Sequence, residues 1–200
     1  MPDFALERAA GGCVAGVDEA GRGPWAGPVV AAAAVLEPDA VPPSLLERLD
    51  DSKKLSPAVR ERLFDGLRAH AVTAVGIASV AEIDRMNILA ATMLAMQRAI
   101  AGLSLRPEIA LVDGNRAPDL SCPVRTVVRG DSRCFSIAAA SVVAKVTRDR
   151  IMAELALAHP GYGWETNQGY GTAAHRDGLD RLGVTVHHRR SFKPVASRLK

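Results

Sequence analysis

The chain has 200 residues, 48% of them hydrophobic, and 25 Lys or Arg against 22 Asp or Glu, enough apolar material for one well-buried core in a single domain over residues 1–200. Cys13, Cys122 and Cys134 form no Cys-x-x-Cys pair, which excludes a disulfide framework and a structural zinc site and suits a reduced, cytoplasmic protein. No run approaches the roughly 20 apolar residues that span a bilayer, and the acid-bearing N-terminal stretch has no long apolar core, so neither membrane insertion nor export is expected.

Val14 to Asp18 reads as a short strand and Val29 to Leu36 as a second, joined by a Gly/Pro-rich turn into a hairpin. Ser44 and Glu47 have the spacing of a capping box for a short helix, and Ser56-Pro57 opens another whose stripe is Val59, Leu63, Phe64 and Leu67. Val72 to Ala78 returns to strand composition. Ser79 and Glu82 form a second capping box, opening a helix expected to run to about Ala101 with Ile83, Met86, Ala90, Met93, Gln97 and Ile100 on one face. Ile109 to Asp113 and Val124 to Val128 are short strands that end before Gly114-Asn115 and Gly130-Asp131. From about Cys134 to Ala158 the chain reads as a long helix stopped by Pro160-Gly161, and its run Ala138-Ala139-Ala140-Ser141 permits close packing on a sheet. Thr172 to Leu182 forms a last short helix before a basic tail.

Charge is unevenly placed. Residues 141–200 hold ten Lys or Arg against five Asp or Glu, while residues 1–140 hold 15 against 17. A basic C-terminal third beside a carboxylate-bearing N-terminal part suits a polyanionic substrate, although a solvated basic face has the same composition. Asp18, Glu19, Asp113 and Asp131 all fall at or just beyond strand ends, where a mixed sheet can bring them together. Oxygen-only ligands of this kind select Mg²⁺ or Mn²⁺ over zinc. On spacing alone each acid has another use: Asp131 as a helix cap, Asp113 as a turn former, Asp18-Glu19 as loop charge. Because successive strand residues face opposite ways, Asp18 and Glu19 reach one ion only if the backbone bends, so Glu19 is expected in the loop. Asp149 lies four residues after Lys145 and is expected to pair with it within the helix.

Gly21-Arg22-Gly23 superficially resembles a dinucleotide-binding turn, but Pro24, Gly27 and Pro28 prevent the helix that such a motif opens. The glycines instead allow a sugar-phosphate backbone to approach closely, with the Arg22 guanidinium available to a phosphate. No phosphate-loop lysine motif, His-Glu-x-x-His or nucleophile triad is present.

The order of several motifs is more specific than any one of them. Gly16-Val17-Asp18-Glu19-Ala20-Gly21-Arg22-Gly23-Pro24, Asp51-Ser52-Lys53-Lys54-Leu55, Val112-Asp113-Gly114-Asn115, Gly130-Asp131-Ser132, the run from Ala138 to Asp149, Asn167-Gln168-Gly169-Tyr170-Gly171-Thr172 and His188-Arg189-Arg190-Ser191-Phe192 follow one another through nearly the whole chain. In this the chain resembles bacterial ribonuclease HII, the type 2 ribonuclease H. Two departures are Trp25, where an aliphatic residue is common, and the short stretch after Phe192.

The resemblance implies an α/β, ribonuclease H-like fold: a mixed five-stranded sheet flanked by helices, with a small helical C-terminal part, about residues 160–200, that grips the substrate. It implies an endoribonuclease that hydrolyses the RNA strand of RNA/DNA hybrids and incises 5′ of ribonucleotides embedded in duplex DNA, leaving 3′-hydroxyl and 5′-phosphate ends. Asp18, Glu19, Asp113 and Asp131 become the catalytic, metal-holding carboxylates, with two Mn²⁺ or Mg²⁺ ions per active site when substrate is bound and Asp18 approaching both. Gly21, Arg22, Gly23, Lys53 and Tyr170 become substrate contacts, Tyr170 stacking on the sugar after the ribonucleotide. Lys54, Lys145, Arg189 and Arg190 are further candidates for phosphate. A monomer is expected, without a tail motif for a replication clamp. Two other classes fit parts of the pattern: a strand-transfer or junction nuclease of the same fold, and a non-catalytic nucleic-acid-binding protein using the basic third.

Overall fold

The computed structural model describes residues 2–49, 52 and 55–199. Five strands, β1 (Val14–Ala20), β2 (Val29–Val35), β3 (Val72–Ala78), β4 (Ile109–Asp113) and β5 (Val124–Val127), form one sheet in the order β3-β2-β1-β4-β5. β1, β2 and β3 are successive antiparallel neighbours, while β1, β4 and β5 run parallel. The expected hairpin and the expected mixed five-stranded sheet are both present. The parallel set matters most for function, because its three carboxyl ends lie on the same side of the molecule, where open α/β sheets place their ligands.

The helices are α1 (Ala5–Ala10), α2 (Pro43–Leu46), α3 (Pro57–His70), α4 (Val80–Met86), α5 (Ile88–Ala101), α6 (Phe135–Ala158), α7 (Trp164–Asn167), α8 (Ala173–Leu182) and α9 (Lys193–Ala196). Strand alternation divides them between the two faces. Ala32 and Ala34 of β2 face α3 and α6, with Leu63, Leu67, Ala139 and Val143 in that layer. Ala31, Ala33 and Val35, with Ala15 and Val17 of β1, face α5 through Ala95, Met96 and Ala99. Small residues let both central helices ride close to the sheet. A Cβ on Gly16 of β1 would lie 2.1 Å from the Ser136 carbonyl carbon in α6, and one on Gly76 of β3 would lie 2.0 Å from the Ala95 oxygen in α5. Among the described residues no helix is long and apolar enough to cross a membrane.

Three local expectations are corrected. The Ser79–Glu82 capping box forms as read, but the helix expected to continue to Ala101 breaks at Asn87. That residue takes φ +74° and turns its Oδ1 to the N–H groups of Leu89 and Ala90, so it ends α4 and caps α5. Asparagine tolerates the left-handed side and competes for backbone donors, the two properties that let it interrupt an otherwise periodic pattern. The Ser44–Glu47 box does not form: Pro43 starts α2 and Pro42 is its cap, leaving Ser44 inside the helix. Glu19 is not in a loop. β1 continues through Ala20, with Glu19 opposite Ala31 and Ala20 opposite Val30, because β2 still offers a ladder there. The turn comes at Gly21, at φ +96°.

α6 is supported from the N-terminal segment. The Glu7 Oε1 atom of α1 accepts the Ser136 N–H at 2.9 Å and a bond from the Cys134 thiol at 3.2 Å, capping a helix whose own cap residue supplies no side-chain bond. Burial, then the Glu7 charge, push the Cys134 thiol up to about 12, so it stays protonated.

Candidate active site

Asp18 lies near the end of β1 and is 5% exposed. It is on the same face as Gly16, toward α6, and the nearby Ser141 hydroxyl of that helix favours its ionised form. Ser141 Oγ also lies 2.8 Å from Ser52 Oγ. The parallel ladder between β1 and β4 stops at Val17 and Val112, and the Glu19 N–H donates to Asp18 Oδ1 at 2.7 Å. This open sheet end resolves the problem of facing. Glu19 stays on the strand, yet at the rim its side chain reaches the cleft, where Oε1 meets the Arg22 guanidinium at 3.3 Å.

Asp113 ends β4, and its Oδ1 accepts the Gly130 N–H at 2.7 Å. That bond joins it to a 3₁₀ turn, Gly130–Ser132, in which Asp131 is 9% exposed. Asp131 therefore does not cap α6, whose cap position is Cys134. Burial, then the charges of Glu19 and of Asp113, hold the Asp18 carboxyl well above its ordinary value of 3.8. The donor set is entirely carboxylate oxygen, and the strain falls on its most buried member, so a hard cation fits here by charge and ligand type. Among the described residues no three His, Cys, Asp or Glu side chains stand as a ready-made coordination cage.

A cleft of about 390 Å³ opens beside these acids, bordered by Glu19, Arg22, Ser52, Lys145, Arg148 and Tyr170. Tyr170 is 49% exposed, and its Cε1 lies 3.2 Å from where a Cβ on Gly23 would stand. Ring and glycine loop thus form one continuous wall. Trp25 is accommodated by Gly171, which leaves room for the indole that any side chain would fill. Another depression, between α2 and α3, is bordered by Leu45, Val59, Leu63 and Gly66, with no acid among the described residues at its rim.

Other basic candidates have different fates. Lys145 borders the cleft and makes the expected helical pair with Asp149 at 2.7 Å, beside Arg60 at 3.6 Å from the same acid. Arg60 also donates to the carbonyls of Ser52 and Leu55, bracketing the segment that carries Lys53 and Lys54. Lys53, Lys54 and Asp51 lie outside the described residues. Arg190 is exposed. Arg189 is not a phosphate contact: it is fully buried, and its guanidinium donates to the carbonyls of Gly21, Arg22, Gly27 and Pro28. A charged residue in a basic tail reads as surface, but here it shapes the glycine loop from beneath.

Two side chains matter here whose roles the sequence reading missed. The sequence pattern marks Ser141 only as a small packing residue and assigns Arg148 no role, although Ser141, Lys145 and Arg148 recur at helical spacing on one stripe of α6. Arg148 donates to Pro28, Gln168 and Ala26 carbonyls at 3.0, 3.0 and 3.1 Å. A histidine pair backs the Tyr170 loop. Thr185 donates its N–H to His188 Nδ1, so His188 presents Nε2–H to His175 Nε2 at 3.1 Å, and His175 Nδ1–H reaches the Tyr170 carbonyl at 3.0 Å. Burial, then the charge of His175 and its neighbours, push His188 down to about 3, which keeps that imidazole neutral.

Comparison with known proteins bears directly on this arrangement. The family model for ribonuclease HII matches residues 15–195. A ribonuclease HII from Paramagnetospirillum magneticum is 64% identical over 196 residues, covering 98% of each chain. Among solved structures, ribonuclease H2 from Pyrococcus horikoshii superposes with a TM-score of 0.79 at 29% identity, over 92% of this chain and 95% of that one. Bst-RNase HIII in complex with Mn²⁺ shares the fold at a TM-score of 0.70 and 19% identity, over 93% of this chain and 68% of its own.

Proposed function

This chain belongs to the ribonuclease HII family, and we propose that its carboxylate cluster and cleft incise duplex DNA on the 5′ side of an embedded ribonucleotide, leaving 3′-hydroxyl and 5′-phosphate ends. The coarser activity comes with membership: it is a metal-dependent nuclease acting on RNA/DNA hybrids. The observation that supports the finer reading is that Asp18 lies within electrostatic reach of Glu19 and Asp113, with Asp131 in the turn that Asp113 binds, at the carboxyl ends of parallel strands next to a basic, glycine-walled cleft.

Asp18, Glu19, Asp113 and Asp131 are the residues that would hold two Mn²⁺ or Mg²⁺ ions in the presence of substrate. Such ions supply Lewis-acid polarisation of the phosphoryl oxygen and lower the pKa of an attacking water. The protein's own part is placement. The Glu19 N–H fixes the Asp18 carboxylate, whose ionised form the Ser141 hydroxyl favours, and the Gly130 N–H fixes that of Asp113. The Gly21–Gly23 backbone is bare enough to approach a 2′-hydroxyl, the group that distinguishes a ribonucleotide from its deoxy counterpart. Tyr170 offers an exposed ring on which the next sugar stacks, favouring a deoxyribose there. Arg22 and Lys145, both bordering the cleft, would meet phosphates.

Asp113→Asn keeps the shape of the side chain and an oxygen for the Gly130 N–H while removing the charge. Turnover on a duplex with one ribonucleotide should fall by roughly 10²–10³-fold, while duplex affinity, measured by fluorescence anisotropy, should stay close to that of the unaltered protein. Unimpaired turnover would remove Asp113 from the mechanism.

A further inference from the structure

The Gly21–Pro28 loop and the Gln168–Gly171 loop come from distant parts of the chain; one backbone bond, from the Trp25 N–H to the Gly169 carbonyl at 2.8 Å, joins them directly, and both also rest on one side chain. Arg148 rises from α6, and its guanidinium donates to Pro28 and Ala26 in the first loop and to Gln168 in the second. It is 1% exposed. Gly21 passes directly over it, since a Cβ there would stand 2.0 Å from Arg148 Nε. Arg189, by contrast, bonds Gly21, Arg22, Gly27 and Pro28, closing the first loop on itself. The second loop has its own ties: Asn167 Oδ1 accepts the Gly169 N–H at 2.8 Å, and His175 holds the Tyr170 carbonyl.

We propose that Arg148 is a positioning residue that fixes the separation between the Gly21–Gly23 loop and the Tyr170 ring, and thereby sets selectivity for a deoxynucleotide after the ribonucleotide. The inference rests on the reading of the cleft given above. A planar guanidinium sends donors in fixed directions, so the three carbonyls cannot drift apart without losing bonds inside the protein. The helix that carries it is anchored in the sheet layer, with residues 136–144 all buried. Discrimination between a ribose and a deoxyribose under Tyr170 turns on one oxygen atom, so a displacement of the ring by less than its own thickness suffices to erase it. Lysine in place of Arg148 keeps the charge but offers a point donor that cannot span all three carbonyls.

The test compares single-turnover cleavage of two duplexes in the same enzyme preparation: one with a deoxynucleotide after the ribonucleotide, and a uniform RNA/DNA hybrid. Tyr170→Ala supplies the ratio expected when the ring is gone. For Arg148→Lys the junction-to-hybrid ratio should drop roughly tenfold toward that value, while Mn²⁺ dependence is retained. A role in folding alone lowers the active fraction equally on both substrates and leaves the ratio where it was. Arg148→Gln, which keeps one amide donor, gives the same ratio if the lysine variant does not fold. An unchanged ratio in the variant that folds overturns the proposal. If the unaltered protein cleaves neither duplex, the underlying reading of the cleft fails, and if it cleaves both without junction preference, the selectivity assigned to Arg148 fails while the nuclease reading stands.

Discussion

Asp18→Asn should abolish most cleavage, by roughly 10²–10³-fold, and at neutral pH should raise the thermal midpoint of the metal-free protein. Both effects come from one cause. The Asp18 carboxyl is buried beside Glu19 and Asp113, and desolvation first, then those two charges, hold it well above its ordinary 3.8. An acid whose folded-state pKa exceeds its unfolded value binds more protons when folded, so stability falls as pH rises between the two values. The cost is absent below about 3.8 and complete above the raised folded value. Asparagine accepts the Glu19 N–H as the carboxylate does and carries no charge, so it removes that cost. In a chain of this size each kcal/mol relieved is worth about 2–4 °C. The advantage should shrink when pH is lowered toward 4 and should also shrink on adding Mn²⁺, which stabilises the unaltered protein by binding its carboxylates. Differential scanning calorimetry with and without Mn²⁺ reads all three comparisons. A variant that is less stable at pH 7 and equally active would remove Asp18 from the charged centre.

Gly16→Ala should have a large effect on stability. The added methyl would meet the Ser136 carbonyl carbon at 2.1 Å and the Ile137 nitrogen at 2.3 Å. Both are helix backbone and cannot rotate aside, so α6 must lift from β1. That should cost about 3 kcal/mol, at the upper end for overpacking, or a fall in midpoint on the order of 6–12 °C. Lifting α6 also carries Ser141 away from Asp18, so turnover per folded molecule should fall as well. Gly102→Ala is the control: its φ is −83°, its nearest neighbour would be 3.3 Å from the new Cβ, and the change should stay within about 1 kcal/mol. Equal midpoints for the two variants would show that β1 and α6 are not held as close as described.

Much of this was legible in the sequence because it depends on local pattern. β3 and β4 match their expected bounds residue for residue, and Thr172 caps α8 where a helix start was read. The Lys145–Asp149 pair follows from spacing on one helix. The four acids could be placed at strand ends, and the family resemblance supplied their grouping. Periodicity alone did not give it, since only the parallel order of β1, β4 and β5 brings those ends to one side. The break at Asn87 was hidden because apolar residues keep helical spacing through it. Glu19 is expected in the loop but stays on β1; because β4 has ended beyond Val17, a side chain facing the other way can still reach round the open rim. Arg148 and Arg189 were hardest to read. Charge predicts exposure, and their burial is compensated mostly by carbonyls more than 100 residues away, which no local pattern encodes.

The most direct measurement is incision of a DNA duplex containing one ribonucleotide, with Mn²⁺, with Mg²⁺ and with chelator, beside an all-DNA duplex of the same sequence. The account predicts metal-dependent cleavage on the 5′ side of the ribonucleotide and none of the all-DNA duplex. Tight binding of the ribonucleotide-containing duplex with no incision under either metal would contradict it, and would leave the basic third of the chain as a binding surface alone.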